Sequence, residues 1–346
     1  MSDKTNNAEQ VASPAEHLVE VHDLKTYFHT AAGTAKAVDG VSFTLDRGKT
    51  LAIVGESGSG KSVTASSLMR LLPKTGKIEG GTVEFDGHDI VHATDAELRE
   101  LRGKDISMIF QDPMTALDPV FKVGSQMIEN IRIHDGLDKA AARKRAIEML
   151  RLVSIPNPEK RMDSYPYELS GGMCQRVMIA MAMSCHPKFI IADEPTTALD
   201  VTVQAQVLSL LKGLQDEMDT GILLITHNLG IVWQMADDVM VMYAGRTCEY
   251  ASMEELYSNP MHPYTWGLLD SMPKLSDKAK TDLKTIPGVP PDLRLTGTCC
   301  NFYNRCPYAC EKCKSEVPPL VEVRPGHFVA CHRQNGEQTL VRGEAN

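Results

Sequence analysis

Gly55-Glu56-Ser57-Gly58-Ser59-Gly60-Lys61-Ser62 fits the pattern G-x-x-x-x-G-K-[ST], directly after an apolar run and before a helical pattern. Glycines in such a loop let the backbone N–H groups of residues 55–60 close around phosphate oxygens, and the helix start adds a favourable dipole. Lys61 then reaches the β- and γ-phosphates, and the Ser62 hydroxyl coordinates Mg²⁺. Alone, the loop says only nucleoside triphosphate. Phe189-Ile190-Ile191-Ala192-Asp193-Glu194 supplies a second part: a buried strand ending in two carboxylates. Asp193 is placed to hold Mg²⁺, directly or through water, and Glu194 to polarise an attacking water, a role worth ~10²–10⁴-fold in rate. Leu169-Ser170-Gly171-Gly172-Met173-Cys174-Gln175-Arg176 opens an apolar helix and offers a hydroxyl and free N–H groups, a second anion-binding surface. Ser170, Gly171, Gly172 and Gln175 are read as nucleotide contacts. One triphosphate is not easily wrapped by both surfaces of one subunit. A head-to-tail dimer, each loop facing the partner's Ser-Gly-Gly, resolves this.

The elements that must position these groups follow from apolar runs. Val41–Leu45, Leu51–Val54, Thr82–Phe85, Ile106–Phe110, Phe189–Ala192, Ile222–Thr226 and Val239–Tyr243 read as strands, and Ser62–Leu72 as a helix. Short apolar runs followed by helical segments are the habit of buried parallel strands with crossovers, so the fold class is α/β. Between about 123 and 185 the pattern is helical, clearest over Ala141–Val153. Residues 1–17 are polar and read as a flexible tail. After about Met253 prolines interrupt the chain repeatedly, which places a boundary near residue 255 and makes 256–346 a smaller, irregular extension.

Composition narrows the function classes. The chain of 346 residues is 42% hydrophobic and 23% charged, ordinary for a globular protein. With 36 Lys plus Arg against 45 Asp plus Glu, the net charge of −9 disfavours nucleic acid as the main partner. No stretch approaches the roughly 18 consecutive apolar residues that span a bilayer, and the first residues carry no basic and apolar leader, so the chain reads as cytoplasmic. Of nine cysteines, Cys299, Cys300, Cys306, Cys310, Cys313 and Cys331 cluster near the end. In a reducing compartment such density points to a metal site, and soft thiolates suit Zn²⁺ or an iron–sulfur cluster; the spacings match neither standard pattern.

The three motifs, in this order, resemble the ATP-binding-cassette (ABC) family over residues 18 to about 250, within an expected ATPase domain at 18–255. The resemblance implies a P-loop nucleotide-binding domain with a RecA-like core, an antiparallel β subdomain and a helical subdomain at about 112–185. It implies an ATPase in which Gln111 senses Mg²⁺ and the attacking water, His227 contacts the γ-phosphate, Asp200 links the two sites of the dimer, and Phe28 (or its neighbour Tyr27) stacks on adenine. The signature departs from the common pattern at Met173 and Cys174, but Ser170, Gly171 and Gly172 are intact.

Met108–Pro119, His227–Val232, Met242–Arg246, Pro260–Thr265 and the terminal cysteines resemble the oligopeptide/dipeptide permease ATP-binding subunits. That implies an importer ATPase, peripheral on the cytoplasmic face of the cell membrane. Its partners would be a second, paralogous cassette subunit, two integral permease subunits and an extracytoplasmic substrate-binding protein, with no nucleic acid. Peptide is the expected cargo; nickel, glutathione or opines are the alternatives, and a soluble cassette ATPase acting on protein or nucleic acid is the rival class. The pattern Cys300-x-Phe302-x-x-Arg305-Cys306, Cys313 and Cys331 resembles one that carries a four-iron cluster in some of these subunits. The expectation is [4Fe–4S] on Cys300, Cys306, Cys313 and Cys331, with zinc, aided by His327 or His332, as the alternative.

Overall fold

The computed structural model describes residues 17–197, 199–272, 285–334 and 340–342, with the side chain of Leu214 left out. Of the expected tail, residues 1–16 lie outside the described residues.

Among the described residues, twelve strands form two sheets. β1 (Val19–Thr30), β2 (Gly33–Leu45), β4 (Gly76–Phe85) and β5 (His88–Asp89) make an antiparallel sheet in the order β2-β1-β4-β5. The eight-stranded sheet has the order β11-β12-β10-β9-β3-β8-β7-β6. It uses β3 (Thr50–Val54), β6 (Ile106–Ile109), β7 (Phe189–Asp193), β8 (Gly221–Ile225), β9 (Asp238–Tyr243), β10 (Arg246–Ser252), β11 (Val321–Arg324) and β12 (His327–Val329). β9, β3, β8, β7 and β6 are parallel neighbours; β10, β12 and β11 are added antiparallel.

The parallel strands are buried on both faces, which is why they read as unbroken apolar runs. Their side chains still alternate. Ile190 and Ala192 of β7 face the core under the helices, while Phe189 and Ile191 face the core shared with the antiparallel sheet. On β9, Met240 and Met242 join that shared core, whereas Val239, Val241 and Tyr243 pack with Tyr264 and Phe302 from the C-terminal region.

Between β6 and β7 the chain is helical, and its helices pack as one cluster against Ile109 and Ile190. The helix Lys139–Leu152 begins where Asp138 accepts the N–H groups of Ala140 and Ala141, both at 2.8 Å, and buries Ala142, Ala146, Met149 and Leu150 on one face. The helix after the phosphate loop is Lys61–Leu68, shorter than its apolar pattern suggests, because Arg70 turns left-handed (φ 47°).

The C-terminal region is built onto the sheet. The helix Met253–Ser258 runs across position 255, and β12 pairs with β10 through Glu249↔Val329 and Tyr250↔Phe328. Among the described residues no helix is long and apolar enough to cross a membrane.

Candidate functional site

Four parallel strands of the large sheet deliver the chemistry to one edge. β3 runs into Gly55 and the phosphate loop, β6 leads to Gln111, β7 ends in Asp193 and Glu194, and β8 leads to His227. This is the carboxyl edge of an open parallel sheet, where such folds place ligands.

The loop itself needs its glycines. Gly55 has φ 154°, and a Cβ there would lie 2.2 Å from the Met242 carbonyl oxygen; Gly60 has φ 107°, and its Cβ would lie 2.3 Å from that of Ala37. Lys61 is buried. Its Nζ donates to the carbonyls of Gly55 (2.8 Å) and Glu56 (3.0 Å) and to Ser59 Oγ (3.4 Å), so the loop's own oxygens hold the cation. Burial lowers its pKa, against the pull of Glu194, Asp193 and Glu56.

Ser62 Oγ donates to Asp193 Oδ1 at 3.1 Å, joining the loop helix to the end of β7. Burial raises the Asp193 pKa despite that bond. Ser62, Asp193 and Gln111 offer oxygen donors only, the chemistry that fits a hard divalent cation such as Mg²⁺.

Glu194 is the most constrained group. Its backbone is left-handed (φ 47°), a strained conformation for a residue with a side chain, and its N–H donates to the Ile225 carbonyl at 2.8 Å. Its carboxylate accepts from Gln111 Nε2 (3.0 Å) and Thr197 Oγ1 (3.0 Å), and His227 Nδ1 lies 3.1 Å from Oε1. Burial pushes the carboxyl up, but His227 and Thr197 outweigh it and hold the pKa below the ordinary value. Glu194 is therefore a carboxylate, fit to accept a proton from water rather than to donate one.

Phe28 and Tyr27 part company. The Tyr27 hydroxyl donates to Asp39 Oδ1 at 2.6 Å, and Arg246 holds the other Asp39 oxygen at 2.6 Å. Phe28 packs over Gly76, where a Cβ would meet the ring at 2.9 Å.

Ser170 caps the helix Gly171–Met183, its hydroxyl accepting the Met173 N–H at 3.3 Å; Ser170 and Gly171 are exposed and Gly172 partly so. Two further expected site residues, Gln175 and Asp200, make hydrogen bonds within the chain. Gln175 is fully buried and donates to the Pro195 carbonyl at 2.6 Å, because it lies on the inward face of its helix. Asp200 caps the helix Val201–Met218 by accepting the N–H groups of Thr202 (3.1 Å) and Val203 (3.0 Å).

The expected metal-binding extension finds no support in the arrangement. Among the described residues no three His, Cys, Asp or Glu side chains form a group that could hold a metal ion. Cys313 Sγ lies 3.5 Å from Cys310 Sγ. Burial pushes the thiols up, Cys300 and Cys331 to about 12 and Cys306 to about 11, which favours the protonated form. His327, the alternative zinc ligand, is fully buried against Glu249 at 2.8 Å, and His332 Nε2 lies 3.1 Å from the Glu316 carbonyl oxygen.

Sequence reasoning gave no role to Thr197 or Tyr264, and it named Arg305 only within the cysteine pattern. Thr197 follows Glu194 by three positions, a visible signal; the other two reach the phosphate loop from the C-terminal region.

Residues 38–197 match the family model described as ABC transporter, and residues 248–313 match the oligopeptide/dipeptide transporter C-terminal region. The chain is 51% identical over 313 residues to the oligopeptide transport ATP-binding protein OppD of Bacillus subtilis, covering 90% of this chain and 87% of that protein. It is 47% identical over 333 residues to the dipeptide transport ATP-binding protein DppD of the same organism, covering 95% and 99%. A dimeric ATP-binding cassette solved in a post-hydrolysis state with ADP and Pi superposes with a TM-score of 0.62 at 26% identity, over 68% of this chain and 98% of that one. The carboxylate edge, the phosphate loop and these relatives agree: the chain is an ATPase and belongs to the oligopeptide/dipeptide family of ABC transporter ATP-binding proteins.

Proposed function

We propose that this chain is the ATP-hydrolysing subunit of a peptide importer, peripheral on the cytoplasmic face of the membrane. It would work with a second, paralogous cassette, two integral permease subunits and an extracytoplasmic substrate-binding protein. The observation that carries the reading is Glu194: a strained, ionised carboxylate fixed by Gln111, Thr197 and His227 beside the phosphate loop. The names of the relatives supply peptide as the cargo class.

Triphosphate entering the loop gives Lys61 better acceptors than the carbonyls of Gly55 and Glu56, and Nζ turns to the β- and γ-oxygens. Ser62, Asp193 and Gln111 would hold Mg²⁺, which neutralises charge on the transferring phosphoryl group. Glu194 accepts a hydrogen bond from the attacking water and orients it. His227, beside Glu194, faces the γ-phosphate, and Phe28 stacks on the adenine.

The Ser170-Gly171-Gly172 helix start is exposed, with backbone N–H groups at its open end, and supports closure on a nucleotide held by a partner's loop. Closure would shift the population of permease conformations through its differential affinity for the closed state. Purification from membranes tests the assembly: two permeases and a second cassette should accompany the chain, and a stable soluble homodimer acting on nucleic acid would overturn it.

Cys300, Cys306, Cys313 and Cys331 remain the candidate ligands of a [4Fe–4S] cluster. Only the soft donor set and its spacing support this reading. No step of hydrolysis runs through it. Iron and acid-labile sulfide in anaerobically purified protein would support this, and a colourless zinc-loaded sample would end it.

A further inference from the structure

A carboxylate is an unexpected neighbour for a polyphosphate. Glu56 stands inside the phosphate loop, its carbonyl accepting from Lys61, and its charge is felt by the Lys61 ammonium. Left alone it would repel the anion that the loop exists to bind. Arg305, 249 positions away, meets it with a two-pronged contact: Nη1 to Oε2 at 2.5 Å and Nη2 to Oε1 at 3.0 Å. Such fork-to-fork pairs fix orientation as well as charge.

The arginine is itself held on every side. Its side chain is 5% exposed. Nε donates to the Pro287 carbonyl at 2.8 Å, Nη2 to that of Ile286 at 3.0 Å and Nη1 to the Tyr243 hydroxyl at 3.2 Å. The guanidinium also lies over the rings of Tyr243 and Phe302, 5.7 and 6.0 Å from their centres. A second residue of the C-terminal region, Tyr264, accepts the Glu56 backbone N–H at 2.8 Å through its hydroxyl oxygen. Glu56 is thus pinned at both its backbone and its side chain from outside the loop.

We propose that Arg305 is a positioning residue of the nucleotide site. From the C-terminal region it cancels the Glu56 charge beside the phosphates and fixes the loop in its phosphate-binding shape. The C-terminal region then sets nucleotide affinity directly, and any movement of residues 286–287 or 302–306 is transmitted to the loop through one side chain.

Equilibrium binding of MgATP and MgADP to the full chain tests this, with Arg305→Met, Arg305→Lys and the double variant Arg305→Met/Glu56→Gln. Arg305→Met should weaken MgATP on the order of tenfold, and MgADP less because it carries less charge. The double variant should regain most of the loss, since removing the carboxylate removes the repulsion; a purely structural arginine would not be rescued this way. Arg305→Lys should fall between, keeping the charge without the fork. Unchanged MgATP affinity in Arg305→Met, or an equal loss in the double variant, would overturn the proposal. Should Arg305→Met not fold, adding Glu56→Gln to Arg305→Lys must regain most of the affinity that Arg305→Lys loses, and failure to do so overturns it equally. Lys61→Ala serves as the control for the site: if it binds MgATP normally, the phosphate-loop assignment fails instead.

Discussion

Gln175 Nε2 donates to the carbonyl of Pro195 at 2.6 Å, with both groups out of reach of solvent. This bond ties the helix that begins at Ser170 to the turn that carries Glu194. Gln175→Leu should leave that carbonyl without a partner and cost about 1–3 kcal/mol of stability, read by denaturant unfolding. Hydrolysis should fall while MgATP affinity of the single subunit stays, because the loop is untouched.

Glu194→Gln removes the proton acceptor but preserves shape. Hydrolysis should drop by ~10²–10⁴-fold with ATP still bound, and the closed dimer should accumulate on gel filtration. A variant with normal turnover would show that another group orients the water.

Gly171 is exposed, and a Cβ built there meets nothing within 4 Å in its own chain. Gly171→Asp should therefore melt like the wild type and bind MgATP as a monomer, yet lose hydrolysis and dimerisation. Retained activity would mean that this helix start never meets a partner's triphosphate.

His327 supplies a pH dependence with a definite sign. Burial alone would lower its pKa, but the bonds and charges of Glu249 and Glu255 outweigh burial and raise it. Raised folded pKa means stability that is complete below the ordinary histidine value of about 6.5 and lost as pH rises through the folded value. Amide exchange in β12 and the pairing of β10 with β12 should loosen over that alkaline limb. His327→Gln should flatten the trend; an unchanged slope would place the titration elsewhere.

The phosphate loop and the two carboxylates are legible in the sequence because each is contiguous and demands a strand and a helix beside it. The parallel strands are legible for a related reason: burial on both faces leaves no polar gap in β3, β7 or β8. β1 and β10 are not, since polar residues interrupt both, as in Val19-Glu20-Val21-His22 and Thr247-Cys248-Glu249-Tyr250. Gln175 sits in a motif whose Ser170 and Gly171 are exposed, and only its place on the helix shows that it points in. The left-handed backbone at Glu194 has no sequence signal, because a side chain there costs energy that only the finished fold supplies. The reach of Arg305 to Glu56 spans nearly the whole chain, beyond any local pattern.

The addition of β12 and β11 beyond β10 has a consequence for solubility. β10 is seven residues long, and without its partners it would present a row of unpaired backbone groups to any passing chain. β11 replaces it at the border with only four residues, two of them the charged Glu322 and Arg324, preceded by Pro318 and Pro319. Short length, charge and proline all discourage further strand addition. The tail of the chain thus shields the ATPase from sticking to its own kind, and a truncation before residue 321 would leave a protein prone to aggregate even with every ATP-binding group in place.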